Sequence, residues 1–149
     1  MQIDAVEIYH VAMPLVYPFR TAFGNDDTIE SVLVKLVSGD HYGWGEASPW
    51  RYPAYSAEFA EGQFLVSKEF ITRPLLGKDI SSGRQLQDEL SWIKGNFFAK
   101  AGFDLAWWDL YAKYWRLQRR GTFSVKSSNA FAEQTIDFVC GWFKLFCFG

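Results

Sequence analysis

FAKAGFDLAWWDLYAKYWRLQRRGTF, residues 98–123, sets up a pattern and then abandons it. Phe98, Ala101, Leu105, Trp108, Ala112 and Trp115 recur at steps of three and four, which predicts an α-helix starting near Phe97 with these side chains as its buried stripe. Lys100 with Asp104, and Asp109 with Lys113, are spaced for i, i+4 ion pairs on the remaining surface, each worth a few tenths of a kcal/mol. Beyond Lys113 the text turns basic and the apolar spacing is lost. A folded sequence keeps its local signals mutually consistent, so the break is itself informative.

Upstream of this helix two more are expected. Ser82 followed by Gln85 has the spacing of a capping box for a helix running through Ile93 and closed by Gly95. Before it, Ser56 is placed to cap a helix whose first turn holds Glu58, whose apolar positions are marked by Phe59, Phe64 and Phe70, and which Pro74 stops. Further back the period changes to two. Gln2 to Pro14 is a strand that ends at Pro14, with Ala5, Tyr9, Val11 and Met13 on one side and Val6 and Ile8 on the other. Ser31 to Ser38 is a second strand, carrying Val32, Val34 and Leu36 on one face and Leu33, Lys35 and Val37 on the other. The turn Ser38-Gly39-Asp40 then returns the chain as a third strand, His41 to Ala47. Strands followed by helices predict an α+β domain: a three-stranded antiparallel sheet followed by a three-helix layer.

Two connecting segments, VYPFRTAFGNDDT and SPWRYPAYS, are rich in aromatic residues. Loops run over the surface, so such side chains either cover something or fold back on their own domain. Gly43-Trp44-Gly45 is too short for a phosphate loop and lies in a strand. His10 and His41 lie far apart in sequence, each in an expected strand, and are expected to be ordinary surface or strand histidines.

AKAGFDLAWWDLYAK (99–113), VYPFRTAFG (16–24), GWGEAS (43–48) and YSAE (55–58) together resemble, in order and spacing, the N-terminal domain of the mandelate racemase and muconate-lactonizing group of the enolase superfamily, in its N-acylamino acid racemase and o-succinylbenzoate synthase branch. The likeness covers about the first 113 residues. It implies an enolase-type capping domain over residues 1–115, whose two loops close over the mouth of a (β/α)8-type barrel. By residue-for-residue match it places Phe19, Arg20, Thr21, Phe23, Trp50 and Tyr55 on the substrate side of those loops. Trp50 is bulkier than the aliphatic side chain expected there. The resemblance further implies a small-molecule carboxylate substrate, proton abstraction α to that carboxylate, Mg2+ as cofactor of the full-length enzyme and homo-oligomeric assembly.

The metal ligands and lysine bases of such enzymes come from barrel strands, and a barrel needs at least about 200 residues. No K-x-K motif is present, and Glu133 and Asp137 do not make a ligand set. The chain is therefore expected to be a truncated cap, without catalytic residues or a bound metal of its own, with residues 116–149 as a divergent tail that is out-of-frame or poorly structured. Alternatives are a stand-alone module binding a small ligand or a protein through the aromatic loops, and a cap that meets a separately encoded barrel.

Composition narrows the partners. At 149 residues with 49% apolar side chains the chain can bury a core, and a net charge of -2 gives no basic surface for nucleic acid. No apolar run suits a membrane span or a secretory leader, which points to the cytoplasm. Cys140 and Cys147, the only cysteines, lack the further ligands of a zinc site and are expected as free thiols.

Overall fold

Along β2 (Gly24–Ser38) every second side chain from Val32 faces the same way, and the computed structural model buries Val32, Val34 and Leu36 completely. The structure describes residues 1–22 and 24–120, and the chain from Met1 to Gln118 forms one compact unit. β2 is the central strand, antiparallel to β1 (Ala5–Thr21) on one side and β3 (His41–Ala47) on the other. Gly39, at φ +54°, makes the expected tight turn between Ser38 and its partner His41. The register aligns Ile8, Val34 and Gly45 on the face toward the helices, and Glu7, Lys35 and Trp44 on the opposite face.

β1 departs from expectation. It does not end at Pro14, which pairs with Thr28, but resumes after a register shift and pairs Phe19 with Asp26, Arg20 with Asn25 and Thr21 with Gly24. Proline is tolerated there because β1 is an edge strand whose outer side offers no ladder to break. The aromatic segment after Pro14 is thus the arm of a long two-stranded ribbon.

On the outer face the Lys35 ammonium donates to Glu7 Oε1 at 2.8 Å, and the Tyr9 hydroxyl donates to the other carboxylate oxygen. The Lys35 charge also lies over the Tyr42 and Trp44 rings, 5.2 and 5.7 Å from their centroids.

Three helical rods cover the inner face. The first runs as α1 (Ala60–Val66), a π-helical turn (Ser67–Ile71) and α2 (Thr72–Leu75). It starts later than expected: Ser56 does not cap it, because its hydroxyl is engaged with the backbone of Glu58. Pro74 lies inside the rod. Lacking an N–H for the Phe70 carbonyl, it is accommodated just after the widened π turn. Phe59, Phe64 and Phe70 are not the buried face; that face is Ala60, Gln63, Ser67, Ile71 and Leu75. α3 (Gly83–Glu89) has Ser82 as its cap, accepting from Gln85 N at 3.1 Å, but it stops at Glu89 rather than Ile93. The box is not reciprocal, since Gln85 Oε1 accepts from Ser81 N instead of Ser82 N.

α4 (Phe97–Arg120) begins where expected and carries the largest correction. Its buried residues are Ala99, Gly102, Phe103, Ala106, Trp107 and Leu110, whereas Leu105, Trp108 and Trp115 of the expected stripe are 52%, 50% and 45% exposed. The reason lies in β3. A Cβ on Gly45 would collide with the Gly102 carbonyl oxygen and fall 2.6 Å from the Ala106 nitrogen; one on Gly43 would collide with the Ala106 oxygen and the Leu110 nitrogen. The two glycines let the helix backbone lie directly on the strand, so the helix face that fits is the one with Gly102 and Ala106. The Trp44 N–H on the open edge of β3 donates to Asp109 Oδ2 at 2.8 Å, and Lys113 pairs with the same oxygen at 2.6 Å, as its spacing predicted. The other expected pair does not form: Lys100 donates to the Ile93 carbonyl, and Asp104 accepts from Gln87.

The core runs from Ile3, Val34 and Leu36 through Ile71, Leu75, Ile80, Leu86 and Leu90 to Phe103, Trp107 and Leu110. Full burial of each such side chain contributes about 1.5–3 kcal/mol. The fold is the expected α+β arrangement, a three-stranded antiparallel sheet followed by a helical layer, with no barrel among the described residues. None of the described helices is long and apolar enough to cross a membrane. Of the expected tail, residues 116–120 continue α4, and the rest, including Cys140 and Cys147, lies outside the described residues.

Candidate functional site

The two aromatic segments lie toward the same end of the sheet, because the ribbon extends β1 and β2 past Val32 while the second loop leaves β3 at Ala47, the partner of Val32. On the ribbon, Phe19 is 58% exposed and Arg20 is exposed; Thr21 is partly buried and its hydroxyl donates to the Gly24 carbonyl at 3.2 Å. Phe23 is outside the described residues. On the second loop Trp50 is half-buried, stacked on Tyr52 with centroids 5.5 Å apart and set edge-on to Tyr55 at 6.4 Å; Tyr55 is 74% exposed. Trp50 therefore partly folds back, while Phe19 and Tyr55 present their rings outward.

What joins the segments is polar. The Tyr52 hydroxyl lies 3.5 Å from Asp26 Oδ1, and Asp26 is the register partner of Phe19. Arg51 Nε pairs with Glu30 Oε1 at 3.1 Å, and His10 Nε2 lies 2.9 Å from the other oxygen of Glu30, so one carboxylate ties the loop to β1 and β2. At the loop's root Glu46 Oε1 accepts from Ser31 at 2.8 Å and Ser48 at 2.5 Å. At its far end Glu58 accepts from Phe97 N and Phe98 N at the start of α4. Sequence reading missed Asp26, Glu30, Arg51, Tyr52 and this role of Glu58, because each partner lies many positions away and only the strand register brings them together. His41 sits edge-on to Tyr114 at 5.8 Å, as a structural histidine would.

Aromatic rings with a few hydroxyl and guanidinium groups thus lie toward one end of the sheet, the two segments joined by side-chain hydrogen bonds and ion pairs. Among the described residues no group of three His, Cys, Asp or Glu could hold a metal ion, so they do not fit a magnesium site.

Residues 3–118 match the model of the mandelate racemase / muconate lactonizing enzyme N-terminal domain. The chain belongs to that family. It is 36% identical over 114 residues to an o-succinylbenzoate synthase of Geobacillus kaustophilus, covering 76% of this chain and 30% of that protein. It is 33% identical over 106 residues to an N-succinylamino acid racemase of an Amycolatopsis species, covering 71% and 29%. Its fold superposes on an enolase-superfamily member from Listeria innocua with a TM-score of 0.70 at 32% identity, covering 76% of this chain and 31% of that one. The chain thus spans under a third of the length of these relatives, and the match is to their N-terminal domain.

Proposed function

We propose that residues 1–115 act as the substrate-capping domain of a magnesium-dependent cytoplasmic enzyme of the N-acylamino acid racemase or o-succinylbenzoate synthase kind, and that the proton abstraction α to a carboxylate is carried by barrel residues outside this domain. In this reading Phe19, Arg20, Thr21, Phe23, Trp50 and Tyr55 face the substrate and residues 116–149 do not belong to the cap. The observation that carries it is α4. A helix that is apolar on two faces is one built to be covered on both. The sheet covers Phe103, Ala106 and Leu110, while Phe97, Leu105 and Trp115, with Trp108 where its ring passes Gly83 of α3, form an outer apolar face that stays between 45% and 72% exposed. Exposed aromatic surface of this kind marks a seat for another domain. That the matched segment makes up under a third of each relative's length supports a barrel as its occupant. The metal and the base are then the barrel's to supply, and the cap contributes shape and exclusion of water at the pocket mouth.

The isolated chain, supplied with Mg2+ and N-succinylamino acids, is expected to show no racemisation above the buffer rate. Turnover that copurifies with it would overturn the assignment of chemistry to residues outside the cap.

A further inference from the structure

α4 begins without a local cap. Asn96, the residue before its first turn, sits at φ +53°, a conformation an asparagine tolerates but an N-cap does not normally adopt. Its side chain is committed elsewhere: Oδ1 accepts from Gln63 Nε2 at 3.2 Å, and Nδ2 donates to the Lys94 carbonyl at 2.9 Å. The orphan amides of the first turn are taken instead by residues more than thirty positions earlier. Phe97 N donates to Glu58 Oε1 at 2.8 Å, Phe98 N to Glu58 Oε2 at 2.9 Å, and Ala99 N to Gln63 Oε1 at 3.0 Å. A carboxylate at a helix N-terminus is also favoured by the helix dipole.

Glu58 is equally well tied to the loop that precedes it. The Ser56 hydroxyl accepts from Glu58 N at 3.1 Å and donates to its carbonyl at 2.8 Å, and Ala60 N closes the loop by donating to the Trp50 carbonyl at 2.9 Å. The backbone that carries Trp50, Tyr52 and Tyr55 is therefore drawn shut between β3 and the point where Glu58 grips α4.

We propose that Glu58 is a positioning residue whose carboxylate, by capping α4 from a distance, fixes the conformation of the aromatic loop. That this loop meets substrate rests on the function proposed above; that Glu58 sets the loop does not. The consequence is a mechanical link: whatever settles α4 settles the loop that carries Trp50.

The test uses the full chain labelled with 5-fluorotryptophan, the Trp50 resonance assigned through Trp50→Phe and the core Trp107 resonance through Trp107→Phe. In Glu58→Ala the amides of Phe97 and Phe98 should exchange roughly tenfold faster. The Trp50 resonance should move toward its denatured position while Trp107 stays in place. In Glu58→Gln, which retains one acceptor oxygen, both effects should be intermediate. Faster exchange at Phe97 and Phe98 with an unmoved Trp50 resonance would overturn the proposal, leaving Glu58 as a helix cap only. If Glu58→Ala unfolds, Glu58→Gln decides, and an unmoved Trp50 resonance there overturns it as well. The readout is conformational, so a failure of the substrate-cap reading would leave this result standing.

Discussion

Gly43 and Gly45 decide more of this fold than any large side chain. Because a methyl group at Gly45 would meet backbone atoms of Gly102 and Ala106 rather than a side chain that can swing aside, Gly45→Ala must push α4 off the sheet. A loss of about 1–3 kcal/mol is expected, measured by urea denaturation; unchanged stability would contradict the close approach. On the opposite face the Lys35 ammonium, with the Tyr9 hydroxyl, holds the Glu7 carboxyl below its ordinary 4.5, and the same carboxylate raises Lys35 above 10.5. A lowered carboxyl contributes stability that is fully present above pH 4.5 and lost as pH falls through its folded value. A raised lysine contributes stability that is fully present below pH 10.5 and lost as pH rises through its folded value. Both contributions are small because the cluster faces solvent. Glu7→Gln should therefore flatten the acid limb of the stability–pH curve below pH 4.5; an acid limb as steep as in the parent chain would show that the pair contributes nothing.

At the scale of elements, the hairpin was legible and the helix face was not. Alternation in Val32, Val34 and Leu36 and the Ser38-Gly39-Asp40 turn suffice for β2 and β3, since a one-residue slip would expose the whole apolar set. α4 offers two apolar stripes offset by a residue, and periodicity alone cannot rank them. The deciding signal was present in small residues rather than large ones, in Gly43 and Gly45 on the strand and Gly102 and Ala106 on the helix. Pro14 misled because proline ends a strand only where its N–H would be needed. The loop contacts through Glu30, Asp26 and Glu58 required the register first. The two stripes make opposite predictions under mutation. Phe103→Ala on the buried face should cost about 3–5 kcal/mol, whereas Leu105→Gln on the exposed face should leave the melting temperature nearly unchanged and raise solubility. A large loss of stability in Leu105→Gln would mean that the outer stripe is already covered within the chain.

For the whole molecule, the described residues form a cap: a core between sheet and helices, two aromatic segments at one end of the sheet, and an exposed apolar face on α4. Each feature makes sense beside a larger domain, and no group of three His, Cys, Asp or Glu among the described residues could hold a metal ion. The most direct test replaces the matched N-terminal segment of the Amycolatopsis N-succinylamino acid racemase with residues 3–118 of this chain and measures racemisation of N-succinylamino acids with Mg2+. If the cap reading is right, the hybrid folds and turns over substrate, while Leu105→Glu with Trp115→Glu on the outer face of α4 lowers its yield or activity at least tenfold. A folded hybrid with no turnover on any N-succinylamino acid, or one indifferent to charges on that face, would contradict it.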